Sequence, residues 1–186
     1  MEEALIRRAQ LGDTAAFRQL VEAHTALAWR TARVLLPNRA AAEDALQEAW
    51  VDVWRGLAGF HAGRPFRPWL LAVVANRCRM SARRHALATV PLPPADSAAF
   101  AGPDHATDAV LRGEADAELR AALALLPDDQ RRALDLRYFA ELDLSEIAAI
   151  TDAPLGTVKS RLHRALGAVR AVLAKDPAFA GWKGDK

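Results

Sequence analysis

Cysteine is almost absent: Cys78 is the only one in 186 residues, which excludes an intrachain disulfide and a Cys-rich zinc site and fits a reducing cytoplasm. Long apolar runs are missing too. No stretch approaches the ~20 uninterrupted apolar residues of a membrane span, and the opening MEEALIRRAQLGD brings acids where a signal peptide would have an apolar centre. A soluble, cytoplasmic protein with no membrane insertion is expected. Aromatics make up only 6% of the chain, and no run of Val, Ile, Thr and aromatics alternates between turn residues, so strands are not expected. Ala and Leu dominate a hydrophobic fraction of 52%, ample for buried cores; the fold class expected is all-α. Catalytic constellations are lacking as well. His24, His61, His85, His105 and His163 are scattered, and there is no phosphate-cradling glycine loop, metal-ligand spacing or serine elbow. The reading is a non-enzyme without cofactor, metal or small-molecule substrate.

Two tracts lack negative charge. Between Asp52 and Asp96 there is no acid, while Arg55, Arg64, Arg67, Arg77, Arg79, Arg83 and Arg84 occur with Trp54, Phe60, Phe66 and Trp69 interleaved. Arginines hold phosphate and aromatics stack on unpaired bases, a pairing suited to single strands. Between Pro154 and Lys175 acids are again missing, yet Lys159, Arg161, Arg164 and Arg170 are present. The formal net charge of +2 would not announce nucleic acid; its concentration in two tracts does.

The second tract has a pattern that reads DNA. In LSEIAAITDAPLGTVKSRLHRALGAVRAVL, Ile147, Ala148 and Ile150 point one short helix at a core. The TDAP segment then breaks the pattern, because Pro154 disfavours helix at the residue before it. A new period through Val158, Leu162, Ala165, Leu166, Val169 and Leu173 falls on one stripe of a second helix. Ser160, His163, Arg164 and Gly167 lie opposite, beside Lys159 and Arg170, where a major groove would sit. Asp152 stands at the turn, and Asp tolerates left-handed backbone better than most residues.

Residues 85–110 gather Pro91, Pro93, Pro94, Gly102 and Pro103 without apolar period and are expected to form a flexible linker. It separates a helical unit at 1–84 from another at 111–175, with a disordered tail at 176–186. In the first unit, helices are expected from Asp13 to about Leu36, from about Ala41 to Leu57, and from near Pro68 onward. The second buries Ala42, Leu46, Ala49, Trp50, Val53 and Leu57 and turns a largely acidic ridge of Asp44, Gln47, Glu48, Val51, Asp52 and Arg55 outward. The third presents Trp69, Ala72, Asn76, Arg79 and Arg83 as an exposed stripe.

Four segments in order, AFRQLVEAH, AEDALQEAWVDVWRGLAGF, RPFRPWLLAVVANRC and LPDDQRRALDLRYFAELDLSEIAAITDAPLGTVKSRLHRAL, resemble the sigma-70 family, specifically its compact extracytoplasmic-function (ECF) group. The likeness extends from about Ala9 to about Leu173. It implies a promoter-specificity factor of bacterial RNA polymerase, with a sigma-2 domain and a sigma-4 domain and no sigma-3 domain between. By resemblance, Asp44, Gln47, Glu48 and Asp52 would bind the coiled coil of the polymerase β′ subunit, and the β flap would be a further contact. Phe60, Trp69, Asn76, Arg77, Arg79, Arg83 and Arg84 would hold the melted −10 element, and Lys159, Ser160, Arg161, His163 and Arg164 the −35 duplex. An anti-sigma factor is the implied regulator. The competing expectation is a dimeric helix-turn-helix regulator of duplex operator DNA, which leaves the first acid-free tract unexplained.

Overall fold

The computed structural model describes residues 1–88 and 114–174, and every regular element among them is helical. The chain divides into two compact units, Met1–Asp104 and His105–Lys186. Most of the expected linker and the tail at 176–186 lie outside the described residues.

The first unit is built from α1 (Glu2–Gln10), α2 (Thr14–Leu35), α3 (Arg39–Leu57) and α4 (Phe66–Ala88), with α2 packed on the other three and α3 along α4. α2 starts where Asp13 accepts from the amides of Ala15 and Ala16, both at 3.0 Å, and α3 where Asn38 accepts from Ala41 at 2.9 Å; such caps contribute about 1 kcal/mol each. Ala16, Ala28, Ala32, Ala42, Ala45 and Ala49 are buried between the helices. Small side chains there let Leu20, Val53, Leu57, Phe66, Leu70 and Val74 interdigitate around them. The sequence reading gave α1 no place. Its Ile6 and Ala9 are buried against α2, with acids in its first turn and arginines in its last. α4 is also longer than expected at both ends. It begins at Phe66 and runs four residues into the span assigned to the linker, because HALA contains no helix breaker and Pro91 is the first.

The second unit comprises α5 (Glu114–Ala124), α6 (Asp128–Leu134), a π-helical turn at Asp135–Phe139, α7 (Leu144–Thr151) and α8 (Leu155–Leu173). α8 packs against α5, α6 and α7; the expected Val158, Leu162, Ala165 and Val169 are buried, as are Leu136, Leu142, Ile147 and Ile150 of the same unit. α7 opens with a capping box: Asp143 accepts from the Glu146 amide at 2.8 Å, and the Glu146 carboxylate accepts from the Asp143 amide at 2.9 Å. It closes on Asp152, whose φ of 52° and ψ of 42° are left-handed, so the turn uses the conformation expected of that residue. The guanidinium of Arg131 and the carboxylate of Asp135, 3.4 Å apart and almost fully buried, brace the entry to the π turn.

Candidate nucleic-acid interfaces and the acidic ridge

On α8 the helical period places Lys159, Arg170, His163, Gly167, Ser160 and Arg164 within an arc of about 140° at 100° per residue, diametrically off the buried stripe. Lys159, His163 and Arg164 are exposed and Ser160 is half-buried. The Ser160 hydroxyl donates to the Thr157 carbonyl at 2.9 Å, and Arg164 donates to the Ser160 oxygen at 3.3 Å, which aims the guanidinium along the outer face. Nothing crowds Gly167, so a backbone or phosphate can approach closely there. Arg161 departs from its neighbours. Its Nε donates to Asp129 of α6 at 2.8 Å, so it is tied across the α6–α8 seam and stands at the edge of the face.

In the first unit the segment between α3 and α4 encloses a cleft of about 660 Å³ lined by Gly59, Phe60, His61, Arg64, Pro65, Pro68 and Trp69. Its wall is aromatic. Phe60 and Trp69 lie 4.7 Å apart by ring centroid, Phe66 is 5.6 Å from Trp69, and Phe60 meets Phe66 edge-on at 5.8 Å. The expected stripe on α4 is exposed at Ala72, Asn76, Arg79 and Arg83 but not at Trp69, and the aromatics around it are largely withdrawn from water. Phe66 is a core residue, Phe60 is only 7% exposed, and Trp69 is half-buried with its ring under Gly56, because rings this close remove one another from water. Two turns further along the same face of α4, Asn76 is exposed, followed by Arg79 and Arg83.

Arg77 and Arg84 sit elsewhere. Arg77, with 19% of its side chain exposed, donates to Glu48 at 3.0 Å and through its Nε to Asp52 at 2.8 Å, and its second amino group also contacts Asp52. Arg84 donates to Glu48 at 2.8 Å. These two guanidinium groups therefore clamp α4 to α3, where the sequence reading had them tracking a DNA backbone with Arg79 and Arg83. The clamp perturbs its members. Hydrogen bonding from Arg84, and then the charge of both arginines, holds the Glu48 carboxyl below its ordinary value. The Asp52 carboxylate raises the pKa of Arg77. Beside this clamp Asp44, Gln47 and Val51 are exposed, so the ridge on α3 offers an acid, an amide and an apolar surface next to carboxylates already paired with arginines.

Two polar contacts are not signalled by the sequence pattern. Gln10, the last residue of α1, donates to the carbonyls of Leu57 at 3.0 Å and Phe60 at 2.6 Å. His24 lies 2.7 Å from the Glu2 carboxylate with its ring 5.2 Å from Phe66. The spacing of Leu5, Ile6 and Ala9 was the available signal for α1; nothing local reveals a contact reaching 50 residues along the chain. Among the described residues no cluster of three His, Cys, Asp or Glu could hold a metal ion, and no helix is long and apolar enough to cross a membrane.

Two family models match the chain: sigma-70 region 2 over residues 20–87 and sigma-70, region 4 over residues 116–169. Among characterised relatives, the RNA polymerase sigma-H factor of Pseudomonas aeruginosa is 32% identical over 92% of this chain and 93% of its own. The ECF sigma-E factor of Escherichia coli K12 is 30% identical over 90% and 92%, and the ECF sigma factor SigW of Bacillus subtilis 29% over 90% and 94%. Two solved structures share the fold: CnrH, in complex with the cytosolic domain of CnrY (TM-score 0.62, 23% identity, 94% of this chain and 98% of that one), and RpoE of Bartonella quintana, in complex with the anti-sigma factor NepR (0.60, 24%, 86% and 98%). Matches in both halves leave no room for the helix-turn-helix regulator, which accounts for the second half alone. With both regions found in order and an ECF sigma factor 30% identical across 90% of the chain, the protein belongs to the ECF group of the sigma-70 family and is a transcription initiation factor of RNA polymerase.

Proposed function

We propose that the two units divide promoter recognition between them. The exposed face of α8 reads the −35 duplex through Lys159, Ser160, His163 and Arg164, with Arg161 at its margin. A guanidinium bidentate to guanine contributes about 1–3 kcal/mol of discrimination, whereas a lysine on phosphate gives affinity that salt erodes. The cleft between α3 and α4 receives an unpaired base of the −10 element. Phe60 and Trp69 form its apolar wall, and Asn76, Arg79 and Arg83 continue its line along α4. The ridge of Asp44, Gln47, Glu48 and Asp52 docks on the β′ coiled coil, with the β flap as a second polymerase contact. The observation that carries this reading is an aromatic-walled cleft and an acid-free helix face in the two segments where the family models match.

Control by an anti-sigma factor belongs to the same proposal, since the Bartonella quintana protein of like fold is held by one. So does a cytoplasmic location, where the polymerase is. Run-off transcription with purified core polymerase on promoter fragments from the source genome tests the whole. Initiation at a defined start, lost in the Lys159→Ala/Arg164→Ala chain, is expected; no start above core enzyme alone overturns it.

A further inference from the structure

The loop between α3 and α4 has a polar clasp that comes from outside the region 2 match. Gln10 belongs to α1, whereas that match begins at residue 20. Its amide nitrogen reaches two carbonyls: that of Leu57, the last residue of α3, and that of Phe60, on the cleft wall. A primary amide has two N–H groups, so both bonds are made at once. The loop's own backbone bonds, from Gly59 to Gly56, Phe60 to Leu57 and Arg64 to His61, are all local; they shape its turns without fixing them to another helix. Gln10 supplies that fixing.

Gln10 is itself held firmly. The turn after it passes through Gly12 at φ 91°, a conformation that favours glycine. Arg8 donates to Asp13 through Nε at 2.9 Å and through a second nitrogen at 2.7 Å, while the same Asp13 caps α2. The end of α1 is thus locked to α2, and the amide projects from a rigid base. We infer that Gln10 is a positioning residue for base capture: it holds the Leu57–Phe60 turn, and with it the Phe60 ring, in the receiving geometry before DNA arrives. A pre-set pocket spends less binding free energy on ordering itself. The inference rests on the reading of this cleft as the −10 base receiver, and the experiment separates the two.

The assay is holoenzyme binding to forked promoter DNA whose non-template strand carries an abasic site at each −10 position in turn. In the wild-type protein one position should stand out, its loss weakening binding; if none does, the cleft reading fails and the role of Gln10 fails with it. Gln10→Met keeps the length and removes both donors. It should weaken binding about five- to tenfold on intact DNA and leave binding unchanged on the fork abasic at that position, with core-polymerase affinity also unchanged. Gln10→Lys, which restores a donor at similar reach, should recover most of the preference for the intact base. Equal weakening of Gln10→Met on intact and abasic forks makes Gln10 merely structural and overturns the inference. Should Gln10→Met melt below the assay temperature, Gln10→Glu, which keeps the shape but replaces the amide donors by acceptors, is read in its place, and a base preference equal to that of the wild type with the fold intact overturns the inference.

Discussion

α4 and α8 are both arginine-bearing helices of an acid-poor tract, yet their guanidinium groups do different work. On α4, Arg77 and Arg84 face the carboxylates of α3 and hold two helices together. On α8, Lys159 and Arg164 face outward, whereas Arg161 is bound to Asp129 of a neighbouring helix. Equal charge in the sequence therefore serves structure at Arg77 and Arg84 and, on the proposed reading, recognition at Lys159 and Arg164, and the deciding variable is what lies opposite. Acids on an adjacent element capture a cation that would otherwise be offered to phosphate.

The largest effect expected from this contrast is on DNA. Arg164→Ala should lower −35 duplex affinity by about 1–3 kcal/mol and relax preference at one base pair. Stability should stay within about 0.5 kcal/mol, because the side chain is exposed and carries no packing. Gel shift on systematically substituted duplexes and urea melts read the two quantities. Uniform weakening on all sequences would make Arg164 a phosphate contact.

Arg77→Met inverts the pattern. Removing a cation from between two partly buried carboxylates should destabilise the first unit by about 1–2 kcal/mol, with little change in −35 affinity. Cys78 supplies a local readout. Its thiol is buried and its pKa is pushed up to about 12 by desolvation, so a thiol reagent labels it only when α4 opens. Faster labelling in Arg77→Met, with unaltered duplex binding, is the expected result. Unchanged labelling would show that the clamp contributes nothing and would dissolve the contrast between the helices.

Acid should expose the clamp more gently. Glu48 has its folded pKa depressed below 4.5, chiefly by its hydrogen bond from Arg84. A depressed carboxyl contributes stability that is present above its unfolded value and lost as pH falls through the folded one. Stability of the first unit should therefore decline below pH 4.5, and Glu48→Gln should make that decline shallower. Urea melts across this range, with Cys78 labelling as the local probe, measure the difference between the two slopes.

How much of this was legible from residues alone follows the range of the contacts. The buried stripe of α8 and the left-handed Asp152 depend on neighbours a few positions away, and periodicity and backbone preference expose both. The cap at Asp13 is equally local. The partners of Arg77 lie 25 and 29 residues upstream, and the carbonyls that Gln10 holds lie 47 and 50 downstream. No spacing rule reaches them, because they are created by the packing of α1, α3 and α4 around one core. The aromatics of the first tract show the same limit. Their composition suits stacking on bases, but Phe60, Phe66 and Trp69 stack first on each other, and only their placement shows that Phe60 and Trp69 wall a cleft while Phe66 fills the core.

The finest test concerns Arg161, which combines the two behaviours. It sits on the reading helix, yet donates to Asp129 at 2.8 Å with 28% of its side chain exposed against 50% for its partner. An ion pair this wet contributes about 0–1 kcal/mol, so Arg161→Met should change stability by less than about 0.5 kcal/mol. Two outcomes on DNA then separate. If the pair persists on the promoter, duplex affinity falls at most about twofold and the dependence of log affinity on log salt is unaltered, since no counterion is displaced by this side chain. If DNA draws the guanidinium away from Asp129, the salt slope in Arg161→Met should shrink by about one, and Asp129→Asn should tighten binding by freeing the cation. The second outcome would move Arg161 onto the recognition face and show that a carboxylate across a seam weakens a cation's hold on phosphate without abolishing it. The first would make the seam between α6 and α8 the boundary of the DNA-reading surface.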